Sequence, residues 1–165
     1  MSDYNKKEFN IVVEDILSNQ QFRKMDRELH HGITRLKHSI RVAKISYVLS
    51  KFFNADYINA TRAALMHDFY IDSDFKGVRK TKVFKTHGTK AAMNAKINFN
   101  ITDIEENIIK SHMFPISEEL PRYKEAWIVS IVDKFISIYE MFRFKSVFYA
   151  NVFLILTFNY FGILI

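Results

Sequence analysis

The stretch Tyr57-Ile-Asn-Ala-Thr-Arg-Ala-Ala-Leu-Met-His-Asp-Phe69 is where the architecture of this chain first shows. Ala60, Ala63, Ala64 and Leu65 recur at helical spacing, and side chains this small let a neighbouring helix approach closely. His67 then follows Ala60 and Ala64 on the same face, with Asp68 beside it, where an apolar residue would continue the packing. A buried carboxylate next to a buried imidazole is costly unless the two are paired or share a cation.

The same oddity recurs along the chain. A helix is predicted from Leu36 to Phe53, in which His38, Val42, Ile45, Leu49 and Phe52 share the apolar side. Ile101, Ile104, Ile108 and His112 line up in the same way on a helix running to Met113. Thr102-Asp-Ile-Glu105 opens that helix as a capping box. Asp133 interrupts the run Ile128-Val-Ser-Ile-Val-Asp-Lys-Phe-Ile136 within a helix predicted from Tyr123 to Phe142. An amphipathic helix from Lys6 to Asn19, a loop from Gln20 to Thr34, a loop from Ile71 to Thr86 and a short helix from His87 to Ile97 complete the pattern.

Composition agrees with a helical reading. The 165 residues are 48% hydrophobic and 25% charged, enough for one domain, and only 4 glycines and 2 prolines are present, few for tight hairpins. The expected fold is therefore an all-α bundle of about six to seven helices, with residues 1–145 as the domain and 146–165 as an apolar C-terminal helix. With no cysteine, disulfides, thiolate ligands and cysteine nucleophiles are excluded, and any metal must be held by His, Asp or Glu. The residues after Met1 contain no apolar run of the secretory kind, and a cytoplasmic location is expected.

The net charge of +6 is spread among interleaved acids, so nucleic acid is not an expected partner. A denser basic stretch, Lys76, Arg79, Lys80, Lys82 and Lys85, either attracts a polyanionic substrate or is a solvated loop.

The ordered set of His38, the adjacent pair His67-Asp68 at a helix end, and Asp133 on a later helix resembles the H…HD…D signature of HD-domain metal-dependent phosphohydrolases, over roughly Arg35 to Glu140. His87 and His112 fall between the pair and the last aspartate, as in the members that hold two metals. The resemblance implies an HD-domain-like bundle with His38, His67, Asp68 and Asp133 on one divalent ion, His87 and His112 on a second, and Asp68 bridging both. Imidazole mixed with oxygen ligands suits iron, manganese, magnesium or cobalt. Two ions about 3.5 to 4 Å apart would lower the pKa of a bridging water, generate hydroxide near neutral pH and clamp the phosphoryl oxygens.

The implied activity is hydrolysis of phosphoester or phosphoanhydride bonds in a small phosphorylated molecule, a nucleotide or dinucleoside polyphosphate. The alternative is a non-catalytic metal- or nucleotide-binding regulatory module. The Gly-Tyr-Pro extension of the cyclic-dinucleotide branch is absent, since Gly-Thr-Lys follows His87.

Alongside Asp68, two helpers are expected at the catalytic centre. Arg35, three residues before His38, either grips a substrate phosphate or makes a surface salt bridge; Lys134, directly after Asp133, either faces the phosphate or caps the surface. His30, His31 and the segment Asp72-Ser-Asp74 are read as loop and turn residues outside the site. From Ser146 to Ile165 no residue is charged, and Arg143 and Lys145 precede the stretch. It is expected either to contact a membrane from the cytoplasmic side or to pack on the core or on a second copy in a homodimer.

Overall fold

The computed structural model describes residues 2–30 and 32–162, and for residues 30 and 150–162 the description covers the backbone alone. Seven α-helices account for most of it: α1 (Asp3–Ser18), α2 (Gln20–Arg23), α3 (Arg35–Phe52), α4 (Tyr57–Met66), α5 (Lys80–Asn98), α6 (Asp103–Ser111) and α7 (Lys124–Gly162). Strands are confined, among the described residues, to a two-residue antiparallel pair, β1 (Leu29–His30) and β2 (Ile33–Thr34). The all-α bundle expected from the sequence is the fold observed.

Local chemistry sets most helix starts. Ser2, Asn19, Thr34, Asp56 and Thr102 each accept a hydrogen bond from a backbone N–H of the first turn that would otherwise lack a partner. The capping box at α6 is present: Thr102 Oγ1 accepts from Glu105 N at 3.1 Å, and Glu105 Oε2 accepts from Thr102 N at 2.7 Å. The other oxygen of this buried glutamate accepts from Arg62 Nε at 2.9 Å, which ties α6 to α4.

Three stretches depart from expectation. The loop from Gln20 to Thr34 contains α2, a 3₁₀ turn and the hairpin, whose turn uses Gly32 at φ +85, a conformation that costs a glycine little. A side chain at Gly32 would also strike the Phe144 ring of α7 at 2.1 Å. α5 starts at Lys80, well before His87, because no glycine or proline interrupts Val78 to His87 and lysine is a good helix former. α7 is continuous for 39 residues, joining the helix expected around Asp133 to the apolar tail, with no glycine or proline before Gly162.

The buried face of α3 is also rotated from the one expected. Ile45 and Phe52 are exposed, while Ser39, Val42, Ala43, Ser46, Tyr47 and Ser50 are buried. α3 packs most extensively on α4, whose face is Ala60, Ala63 and Ala64; small residues on both helices allow a close approach. Around this pair, α1, α5, α6 and α7 close the core, where Ile16, Leu65, Ile108 and Ile109 are fully buried. Each such side chain contributes roughly 1.5–3 kcal/mol.

Among the described residues, no helix is long and apolar enough to cross a membrane. The expectation for residues 146–165 falls largely on 150–165, whose side chains lie outside the described residues.

The carboxylate of Glu8 ties α1 to both α3 and α4. Glu8 accepts hydrogen bonds from Tyr47 Oη and Lys51 Nζ of α3, and from Tyr57 Oη of α4 at 2.9 Å. Lys51 first, then the two phenols, hold its pKa down to about 2. A depressed carboxylate pKa contributes stability above the ordinary value that is lost as pH falls through the folded one. Glu8→Gln is therefore expected to lower Tm at neutral pH, and the gap from the wild type to shrink as pH falls from 4.5 toward 2. Thermal unfolding of the two proteins across that range checks this.

Candidate metal centre

The bundle brings together residues from five helices or helix ends. His38 lies in the first turns of α3, His67 and Asp68 follow the last turn of α4, His87 is inside α5, His112 follows α6, and Asp133 is on α7. All six are 5% exposed or less. Donor atoms lie within 4.8 Å of one another in three triads: His38–His67–Asp68, His67–His112–Asp133 and Asp68–His87–His112. Every metal ligand expected from the sequence takes part.

The backbone sets the tautomers of three imidazoles. His67 Nδ1 donates to the Ala64 carbonyl at 2.7 Å, and His112 Nδ1 donates to that of Ile109 at 2.7 Å. These carbonyls, in the last turns of α4 and α6, lack a helical partner. His87 Nδ1 donates to the Val83 carbonyl at 3.0 Å. A carbonyl only accepts, so each Nδ1 carries a hydrogen, and in the neutral ring the Nε2 lone pair faces inward.

Those lone pairs call for a cation. His87 Nε2 and His112 Nε2 face each other at 2.9 Å, a repulsive arrangement unless a positive charge lies between or beside them. His67 Nε2 is buried and has no hydrogen-bond partner; Asp133 Oδ1 is 3.4 Å away and Asp68 Oδ2 3.6 Å. Asp68 directs its two oxygens to different sets, Oδ2 toward His67 and Oδ1 toward His87 at 3.4 Å and His112 at 3.8 Å. His38 Nε2 is 3.0 Å from Asp133 Oδ1. Imidazole nitrogens together with two carboxylates form a donor set that fits divalent cations.

The electrostatics diverge across the cluster. Burial works against a charged His38, but the hydrogen bonds to Asp133 and Glu140 outweigh it and raise its pKa to about 10. Burial, reinforced by the neighbouring His87 and His67, pushes His112 down to about 3. Asp133 lies well below the ordinary range: its burial is outweighed by the imidazoles of His38 and His67 beside it. Without a metal the charge of the site thus sits at the His38 end, while His112 stays neutral.

The two expected helpers are engaged with the scaffold. The Arg35 guanidinium is buried, lies 4.0 Å above the Tyr70 ring, donates to the Tyr70 carbonyl at 2.9 Å and donates to Asp72 Oδ1 at 3.1 Å. It braces the segment that leaves Asp68. Lys134 Nζ donates to the His112 carbonyl at 2.9 Å, the Ser130 carbonyl at 3.2 Å and Ser130 Oγ at 2.6 Å. Ser130 Oγ donates to the same His112 carbonyl at 2.7 Å, so this corner of α7 anchors the backbone that carries His112. Burial lowers the Lys134 pKa.

The segment after Asp68 is a turn: Asp74 accepts from Ile71 N at 3.1 Å and pairs with Lys90 at 3.2 Å. β1 includes the backbone of His30, whose side chain, like all of His31, lies outside the described residues. Lys76, Arg79, Lys80, Lys82 and Lys85 are exposed just before and at the start of α5, and none makes an ion pair with a described residue.

Ser130, Glu140 and Arg41 escaped the sequence reading. Ser130 and Glu140 sit three residues before and seven after Asp133, on the same helix face, and Arg41 sits one turn beyond His38; that spacing was the available signal.

Gly88 explains how α5 and α6 bring His87 and His112 into contact. A Cβ there would stand 2.8 Å from the Ile109 carbonyl, which orients His112, and 3.3 Å from His112 Cε1. Gly88→Ala is expected to destabilise the fold by about 1–3 kcal/mol despite alanine's better helix propensity, and to weaken metal binding at the His87–His112 end. Thermal unfolding and metal content together test this.

Fold and site define an all-α protein with a buried histidine–aspartate cluster compatible with metal binding. A family model, the HD domain, matches residues 35–137, well over half of the chain, and the chain belongs to that family, whose members are generally metal-dependent hydrolases. No curated protein and no solved structure matches the chain.

Proposed function

We propose that the chain hydrolyses phosphoester or phosphoanhydride bonds in a small phosphorylated molecule, a nucleotide or dinucleoside polyphosphate, using two divalent ions. His38, His67, Asp68 and Asp133 would hold one ion, and Asp68, His87 and His112 the other. The observation that carries this reading is Asp68, whose two oxygens are directed to two separate sets of imidazole nitrogens. Bound divalent ions supply Lewis-acid polarisation of phosphoryl oxygens and acidify a water molecule.

The chain's own groups do the rest. Backbone carbonyls take the Nδ1 hydrogens of His67, His87 and His112 and so turn Nε2 toward the ions, and Asp68 and Asp133 would offset the added positive charge. Lys134 and Ser130 hold the His112 backbone, and Arg35 holds the segment after Asp68. The exposed cations just before and at the start of α5, which carries His87, favour a polyanionic substrate by raising its local concentration.

The test is phosphate release from a panel of nucleotides and dinucleoside polyphosphates after adding iron, manganese, magnesium or cobalt. Metal-dependent turnover of one member supports the proposal. Metal binding without turnover of any member supports the regulatory module instead.

A further inference from the structure

Three of the four clustered histidines orient their rings on neutral backbone carbonyls, and His38 does not. Its Nδ1 lies 2.8 Å from Glu140 Oε2, and Glu140, only 2% exposed, accepts through its other oxygen from Arg41 Nη1 at 2.7 Å. Arg41 lies on α3, one turn beyond His38, and Glu140 lies on α7, two turns beyond Asp133. α7 therefore presents one carboxylate to the inner nitrogen of His38 and a second to its outer nitrogen.

A carboxylate is an expensive way to tie two helices. Burying its charge carries a large desolvation penalty before compensation, and a neutral acceptor would make the same hydrogen bond. What a carboxylate adds is electron density: a hydrogen-bonded anion behind an imidazole fixes the tautomer and makes the other nitrogen a stronger donor.

We propose that Glu140 is the positioning residue for His38: it holds the Nδ1–H, aims Nε2 at the ion shared with His67, Asp68 and Asp133, and strengthens that bond. Arg41 steadies Glu140 from the solvent side. The inference rests on the two-ion reading above and adds a residue outside the six ligands.

The test uses the full chain and Co²⁺ alone, titrated against a competing chelator and followed by visible absorption, with Tm measured on the metal-free proteins. Glu140→Gln preserves volume and a hydrogen-bond acceptor but removes the charge. It is expected to stay folded, to bind one Co²⁺ roughly 10–100-fold more weakly with an altered absorption band, and to bind the other ion with wild-type affinity. Wild-type affinity for both ions in Glu140→Gln would reduce Glu140 to a helix tie and overturn the inference, while leaving the two-ion reading intact.

Arg41→Met provides a second arm should the first variant unfold. It leaves the carboxylate on His38 but removes the partner that steadies it, so a few-fold loss confined to the ion at His38 is expected; wild-type affinity for that ion, or an equal loss at both ions, would overturn the inference. Failure of the wild type to bind Co²⁺ would sink the two-ion reading and the inference together.

Discussion

Asp68→Ala is expected to remove both ions and to lower kcat by at least roughly 10³-fold, about 4 kcal/mol of barrier. Asp68 directs one oxygen to His67 and the other to the His87–His112 pair, so its removal takes a ligand from each ion at once. Repulsion rises at the same time, because the facing lone pairs of His87 and His112 lose the negative charge beside them. Metal content and phosphate release measured on the folded variant test this. Retention of both ions, or turnover within tenfold of the wild type, would refute the bridging role.

His87→Ala is expected to act on one ion only. His87 shares a triad with Asp68 and His112 and none with His38, His67 or Asp133, so the variant keeps about one ion per chain and loses the other. Turnover falls by roughly 10²-fold or more, since a two-ion clamp is reduced to one. The outcome separates two arrangements of the same six residues: loss of both ions on changing His87 would mean a single shared centre, and loss of neither would remove His87 from the ligand set. Elemental analysis beside Asp68→Ala, purified in the same way, gives the comparison.

The clustered residues could be read from the sequence because most of them interrupt an apolar helical face. His38, His67, His112 and Asp133 stand where packing alone would place a hydrophobic residue, and burial without compensation is too costly to recur by accident. His87 was harder to place, because the following glycine looks like a helix boundary. In the structure that glycine sits inside α5 and serves the contact with the Ile109 carbonyl, which only tertiary packing reveals.

The rotated face of α3 has a related cause. Periodicity favoured Ile45 and Phe52, but the alanines of α4 select the serine face as the closer fit. Arg35 and Lys134 were legible as cations near the ligands, and their partners were not. The Tyr70 carbonyl and Asp72 meet Arg35 across the bundle, and the His112 carbonyl meets Lys134 from α6. Glu140 lay on the Asp133 face of a recognisable helix, yet its role depends on meeting His38 from more than a hundred residues away. The length of α7 was hidden by treating the uncharged tail as a separate segment, although no glycine or proline breaks the helix where the charges end.

The most direct test of the central claim is elemental analysis of the purified chain after reconstitution with iron, manganese or cobalt and removal of excess metal. The account predicts about two ions per chain. A chain that stays folded and retains no metal under any of these conditions would contradict it.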